Sequence, residues 1–241
     1  MRIITKGFSA IYTIFINKLF QLISPLEIFK NWWVYPLNGQ ARRMYNLSII
    51  SHYLRPKYVV ETGTFMGSST WFFLGVPSVE KVLSIESNQN SYEIAKARLL
   101  PVYGERIELI FGDSKISFDK ILSGLSPDTT LLCYLDAHWE GDIPTTLELE
   151  ALCRWGGNWV AIVDDFKIHA SNPNGYGFDK YEDLQVDISI IPHDSSVQVF
   201  VPDEPATNET GAKRGTAYIF SERGRAMLPQ SFLEELKLRP L

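Results

Sequence analysis

Five short apolar runs, each leading to an acidic residue, alternate along the middle of this chain with segments of helical periodicity. The runs are Lys57–Glu61, Lys81–Glu86, Arg106–Phe111 (followed by Gly112, Asp113 and Ser114), Thr130–Asp136 and Trp159–Asp164. Helices are expected from Ser68, over Ser91–Leu100, over Phe118–Leu122 and over Pro144–Trp155, with another, Ala41–Leu54, ahead of the first strand. Alternation of this kind predicts a parallel sheet covered by helices on both faces, a doubly wound, Rossmann-like α/β architecture. The pattern changes after Asp165. Residues 166–185 are rich in Gly, Asn, Asp and Tyr and read as a long loop. Val197–Pro202 and Thr216–Phe220 read as two later strands joined by the polar connector Asp203–Arg214. A late pair of this kind suits an antiparallel edge, so a mostly parallel seven-stranded sheet is expected. Ser231–Leu238 reads as a short terminal helix.

A chain of 241 residues holds one such domain with some decoration, and a second full domain would be cramped. The expected division is an apolar helical extension over 1–35 and the α/β domain over 36–241. Net charge is −5, which offers no general electrostatic case for nucleic acid. The two cysteines, Cys133 and Cys153, provide neither a disulfide framework nor zinc spacing, and a reducing cytoplasm suits them. Phe8–Ile23 is strongly apolar, yet short for a span and interrupted by Asn17, Lys18 and Gln21. No small-x-small cleavage site precedes Pro25. Residues 8–24 therefore read as a helix that packs on the domain or on a second copy in a homo-oligomer. Peripheral contact with the inner face of a membrane stays open.

The first strand runs into a glycine-punctuated turn, Glu61-Thr-Gly63-Thr64-Phe-Met-Gly67-Ser-Ser69, and then a helix. In parallel α/β sheets a turn of this type lets a nucleoside ligand approach the backbone. An acid at the end of the next strand, here Glu86 with Ser87 after it, takes the ribose hydroxyls. A dinucleotide site wants G-x-G-x-x-G facing a diphosphate. Here Gly63 and Gly67 stand alone behind Glu61, so an acid occupies the place where a diphosphate needs donors. That favours a cationic ligand such as S-adenosyl-L-methionine, with Glu61, Gly63, Thr64, Gly67, Ser69, Glu86, Ser87, Gly112, Asp113, Ser114 and Asp136 as its expected surroundings. A nucleotide-dependent oxidoreductase on the same architecture is the competing enzyme class. A membrane-associated binding protein without turnover is the non-enzymatic one.

All five strands deliver a carboxylate to one sheet edge: Glu61, Glu86, Asp113, Asp136 and the pair Asp164-Asp165. The last three come from adjacent strands and repel one another unless protonated or bridged by a cation. Mg2+ held by Asp136, Asp164 and Asp165 is the expected solution. In the alternative, one aspartate caps a helix and another pairs with a basic residue.

The segments Leu135-Asp-Ala-His-Trp139, Pro144–Glu150 and Val163-Asp-Asp-Phe166 resemble the cation-dependent class I methyltransferases. They are similar to catechol O-methyltransferase and to bacterial macrocin-type sugar O-methyltransferases. The likeness spans roughly 57–166. Pro36–Gln40, Tyr176–Asp179 and Glu209–Arg214 also resemble a bacterial group of such enzymes. The resemblance implies methylation of a sugar, glycan or natural-product hydroxyl, with Asp136, Asp164 and Asp165 on the metal. It also implies a catalytic lysine three residues after Asp136, where this chain has Trp139. His138 is then the nearest candidate base, since imidazole titrates near neutrality, and Lys167 is the alternative. Tyr176, Phe178 and Tyr181 are expected over the acceptor, and Arg42, Arg43, Lys213 and Arg214 could meet an anionic one.

Overall fold

The structure, a computed structural model, describes residues 35–137, 142–168, 174–178, 180–181, 184–193 and 195–241. The expected N-terminal helix, with any membrane or subunit contact through residues 8–24, lies outside these. So do His138, Trp139 and Asp179. Among the described residues no helix is long and apolar enough to cross a membrane.

The five expected parallel strands are present as β1 (Tyr58–Thr62), β2 (Lys81–Glu86), β3 (Ile107–Phe111), β4 (Thr130–Leu135) and β5 (Asn158–Val163). Three antiparallel strands follow: β8 (Gln198–Pro202), β9 (Ala217–Phe220) and β10 (Leu238–Pro240). The sheet order is β10-β8-β9-β5-β4-β1-β2-β3. A separate two-residue hairpin, β6 (Lys180–Tyr181) with β7 (Leu184–Gln185), interrupts the expected loop. The helices are α1 (Ala41–Leu54), α2 (Ser68–Leu74), α3 (Gln89–Tyr103), α4 (Ser114–Ser123), α5 (Thr145–Trp155), α6 (Glu222–Ala226) and α7 (Phe232–Leu236).

The main sheet has eight strands, one more than expected. The terminal helix stops at Leu236 because Lys237 turns left-handed, with φ 52°. Leu238–Pro240 then pairs along β8. Pro240 has no N–H to donate, which suits the outermost strand of a sheet.

Both sheet faces are covered, and the period of two along each strand decides which residue goes where. Val59, Leu132 and Val160 pack on one side with Leu47 and Ile50 of α1, Phe73 of α2 and Leu99 of α3. Their neighbours Val60, Cys133 and Ala161 pack on the other side with Phe118 of α4 and Leu149 and Leu152 of α5. Each buried aliphatic side chain contributes roughly 1.5–3 kcal/mol. The strand order reverses direction between β1 and β4, and the crevice beyond their carboxyl ends is where ligands bind in such sheets.

Candidate functional site

The turn after β1 stands at that crevice. Gly63 has φ +83°, and a Cβ there would lie 2.5 Å from the backbone oxygen of Asp136 at the end of β4. Gly67 has φ +79° and immediately precedes α2, and its missing side chain leaves room for Leu99. Only glycine meets both demands without strain. Thr64 is buried and exchanges a hydrogen bond of 2.6 Å with Ser84 of β2.

Glu61 lies beneath this turn and not in the cleft. It is fully buried, and its Oε2 accepts from the Thr70 hydroxyl and from Ser84 at 2.6 Å. Burial pushes its carboxyl from 4.5 up to about 7, against the opposing hydrogen bonds from Ser69, Ser84 and Thr70. Its visible work is therefore to tie β1, β2 and α2 together. Direct contact with a cationic ligand is not its position.

Glu86 ends β2 with both carboxylate oxygens turned to backbone amides: Phe65 N–H at 2.6 Å and Asn88 N–H at 2.7 Å. A carboxylate oxygen accepts two hydrogen bonds, so this anchoring orients the group and leaves capacity for hydroxyl donors. Ser87 beside it is exposed. The Gly112 amide donates to the Glu86 carbonyl at 2.9 Å, which holds the ends of β2 and β3 together. Asp113 is exposed and caps α4, accepting from the Lys115 amide at 2.9 Å. Ser114 is the buried first residue of that helix.

A cleft beside the glycine turn is lined by Gly63, Thr64, Phe65, Ser69, Tyr134 and Asp136, together with Leu37 and Asn38. Phe65, Tyr134, Leu37 and Asn38 were not among the expected surroundings of the ligand. Leu37, Asn38 and Gly39 all have positive φ (52°, 58° and 67°), a left-handed turn immediately ahead of α1. The Asn-Gly dipeptide signals a turn, but nothing local says that the turn reaches the cleft.

The acid cluster departs from the magnesium site expected of it. Asp164 is fully buried, and four donors occupy its carboxylate. Arg43 Nη1 lies 2.5 Å from Oδ1 and the Asp165 amide donates to the same oxygen at 2.7 Å, while the Tyr134 hydroxyl at 2.6 Å and Asn38 Nδ2 at 2.9 Å donate to Oδ2. A carboxylate has about four lone-pair positions, so Asp164 is saturated and does not fit as a metal ligand. Asp165 is buried with φ 51°, and its Oδ1 lies 3.4 Å from Arg214 Nε. Asp136 is partly exposed as a residue. Burial of its carboxyl, then repulsion from Asp164 and Asp165, raise its pKa well above the ordinary 3.8. Among the described residues no group of three or more His, Cys, Asp and Glu side chains is placed to hold a metal ion.

Three of the four expected acceptor cations, Arg42, Arg43 and Arg214, are engaged by carboxylates. Arg43 is buried. Burial opposes its charge, but Asp164, Tyr134, Tyr218 and Asp165 outweigh that and keep its pKa above the ordinary value. Arg42 pairs with Glu204 at 2.8 Å, and Lys213 alone of the four is exposed. The Lys167 ammonium is bonded to the Gln185 amide oxygen and lies 5.2 Å from the centre of the Phe178 ring. Tyr176 sits among Glu209, Tyr218 and Glu204, and burial pushes its phenol pKa up.

No family model matches the chain, and no curated protein matches it in sequence. Solved structures do share its fold. One is a protein from Klebsiella pneumoniae assigned as an O-methyltransferase, 18% identical, with a TM-score of 0.58, covering 83% of this chain and 94% of that one. Another is the O-methyltransferase from Bacillus cereus solved with S-adenosylhomocysteine, 16% identical, with a TM-score of 0.52, covering 86% of this chain and 90% of that one. The chain therefore has the Rossmann-like fold of these O-methyltransferases.

Proposed function

We propose that this chain is an S-adenosylmethionine-dependent methyltransferase acting on a hydroxyl oxygen of a small acceptor, a sugar, glycan or natural product. One observation supports this above the others. Gly63 lines a cleft at the β1/β4 switch point, and Glu86 ends the neighbouring strand with its carboxylate held by two backbone amides, one of them that of the cleft residue Phe65. The shared fold adds that the Bacillus cereus protein holds S-adenosylhomocysteine.

When bound, the cofactor supplies a sulfonium methyl that a nucleophilic oxygen can take by in-line displacement. The protein's part is orientation and proton removal. Gly63 and Gly67 let the ligand approach the backbone. Glu86 accepts from its ribose hydroxyls, and Asp136 lines the cleft beside the turn. His138, just beyond Asp136, is the residue we assign to receive the acceptor proton. Lys167 is the weaker choice, because its ammonium is already engaged by Gln185 and Phe178. Asp164, saturated by its four donors, offers no open position to a metal.

The test is calorimetric titration of the full chain with S-adenosylhomocysteine, repeated on Glu86→Ala. Loss of a pair of charge-assisted hydrogen bonds should weaken binding by about 10²-fold. Absence of binding to the wild-type protein, or binding of NAD in its place, would overturn the reading.

A further inference from the structure

The saturated carboxylate at the end of β5 has a consequence for the chemistry of the whole edge. Asp136, Asp164 and Asp165 converge from β4 and β5, the last two of them buried, and such a cluster is relieved by protonation or by a positive charge among it. Arg43 provides one from inside the chain. Its Nη1 meets Asp164 at 2.5 Å and donates to the Tyr134 hydroxyl at 3.3 Å. Its Nη2 donates to Gln40 Oε1 at 3.2 Å and to the Arg214 carbonyl at 3.0 Å. The helix that carries the guanidinium is itself held at its start. Glu209 accepts from the backbone amides of Arg42 at 2.9 Å and Arg43 at 3.2 Å.

A divalent ion on Asp164 would have to displace these donors. At a metal–oxygen distance of about 2.1 Å it would also lie within roughly 5 Å of the guanidinium, in a setting that screens charge poorly. The two cations exclude each other. The pairing reaches the cleft as well. The Asp164 oxygen opposite Arg43 accepts from Asn38 and Tyr134, and both of these line the cleft with Gly63, Thr64 and Asp136.

We propose that Arg43 is the resident cation of this carboxylate edge, standing in place of a divalent metal, and that through Asp164 it positions Asn38 and Tyr134 against the cofactor cleft. The positioning half rests on the methyltransferase reading, and the assignment of the cation does not.

Two titrations of the full chain test it. Manganese(II), followed by its paramagnetic resonance signal, should remain free in the presence of wild-type protein. One bound ion per chain, lost in Asp164→Asn, would overturn the assignment. Arg43→Met removes the charge without filling its place, so manganese should raise the melting temperature of this variant. It should leave wild type and Arg43→Lys unmoved. A folded Arg43→Met that ignores manganese also counts against the assignment. If Arg43→Met does not fold, Asn38→Gly serves, because it keeps the left-handed turn and removes only the amide. S-adenosylhomocysteine affinity should fall about tenfold in Asn38→Gly and be equal in Mg2+ and in chelator for wild type. Wild-type affinity in Asn38→Gly would overturn the positioning role. Failure of wild type to bind S-adenosylhomocysteine at all would sink the methyltransferase reading, while the manganese titration still decides which cation this edge holds.

Discussion

Glu61 shows how a residue chosen for one job is built for another. An acid before the glycine turn suggests a partner for a positive ligand, but the side chain is sealed beneath the turn by Thr70 and Ser84. Its carboxyl titrates at about 7 in the fold and at 4.5 when exposed. Between those values the folded chain keeps a proton that the unfolded chain has released. The contribution of Glu61 to stability is therefore complete below about 4.5, declines as pH rises to about 7, and is level above. The decline is of the order of 3 kcal/mol. Asp136 and Glu209, whose pKa values are also raised, act in the same direction. Glu61→Gln cannot ionise, so urea denaturation from pH 4 to 8 should show a flatter profile for this variant by about that amount. An unchanged slope would assign the decline to the other two acids.

At the scale of elements, the start of α1 depends on residues far along the chain. Its preceding residue, Gln40, makes no side-chain cap. The amides of the first turn are met by Thr210 Oγ1 on Ala41 at 2.9 Å and by Glu209 on Arg42 and Arg43. A carboxylate at a helix N-terminus satisfies orphan amides and complements the helix dipole. Glu209→Ala should accordingly cost about 1–2 kcal/mol in chemical denaturation. It should loosen the Arg43 side of the cleft before it affects the sheet. A loss of a few tenths would mean that water replaces the carboxylate without penalty. Asp113 makes the complementary point at α4: expected near the cofactor, it serves as a local cap.

At the scale of the molecule, the cleft exists only in the folded chain, since it is assembled from residues 35–38, 63–69 and 134–136. A ligand that binds there and not to the unfolded chain stabilises by about 2.7 kcal/mol at a hundredfold excess over its Kd. For a chain of this size S-adenosylhomocysteine should then raise the melting temperature by roughly 5–10 °C, read by scanning calorimetry. No shift at saturating ligand would remove the cofactor from this cleft.

The strand–helix alternation, the boundaries of α1 and β2, the glycine turn and the acid at the end of β2 were legible in the sequence. Each rests on periodicity, backbone conformation or spacing, which neighbouring residues determine. The extra strand Leu238–Pro240 was not legible, because its apolar spacing continues that of the helix before it and only the open edge of β8 turns it into a strand. Nor were the partners of the acids. The sequence lined up the carboxylates at one sheet edge and left two solutions, a metal or a basic residue. Asn38 lies 126 residues from Asp164, and Arg43 reaches the same carboxylate from a helix that residues 209–210 hold in place. Spacing along the chain announces which charges a strand presents. Which opposite charge meets them is decided by tertiary packing, because a buried carboxylate takes whichever donors the fold brings within about 3 Å of it.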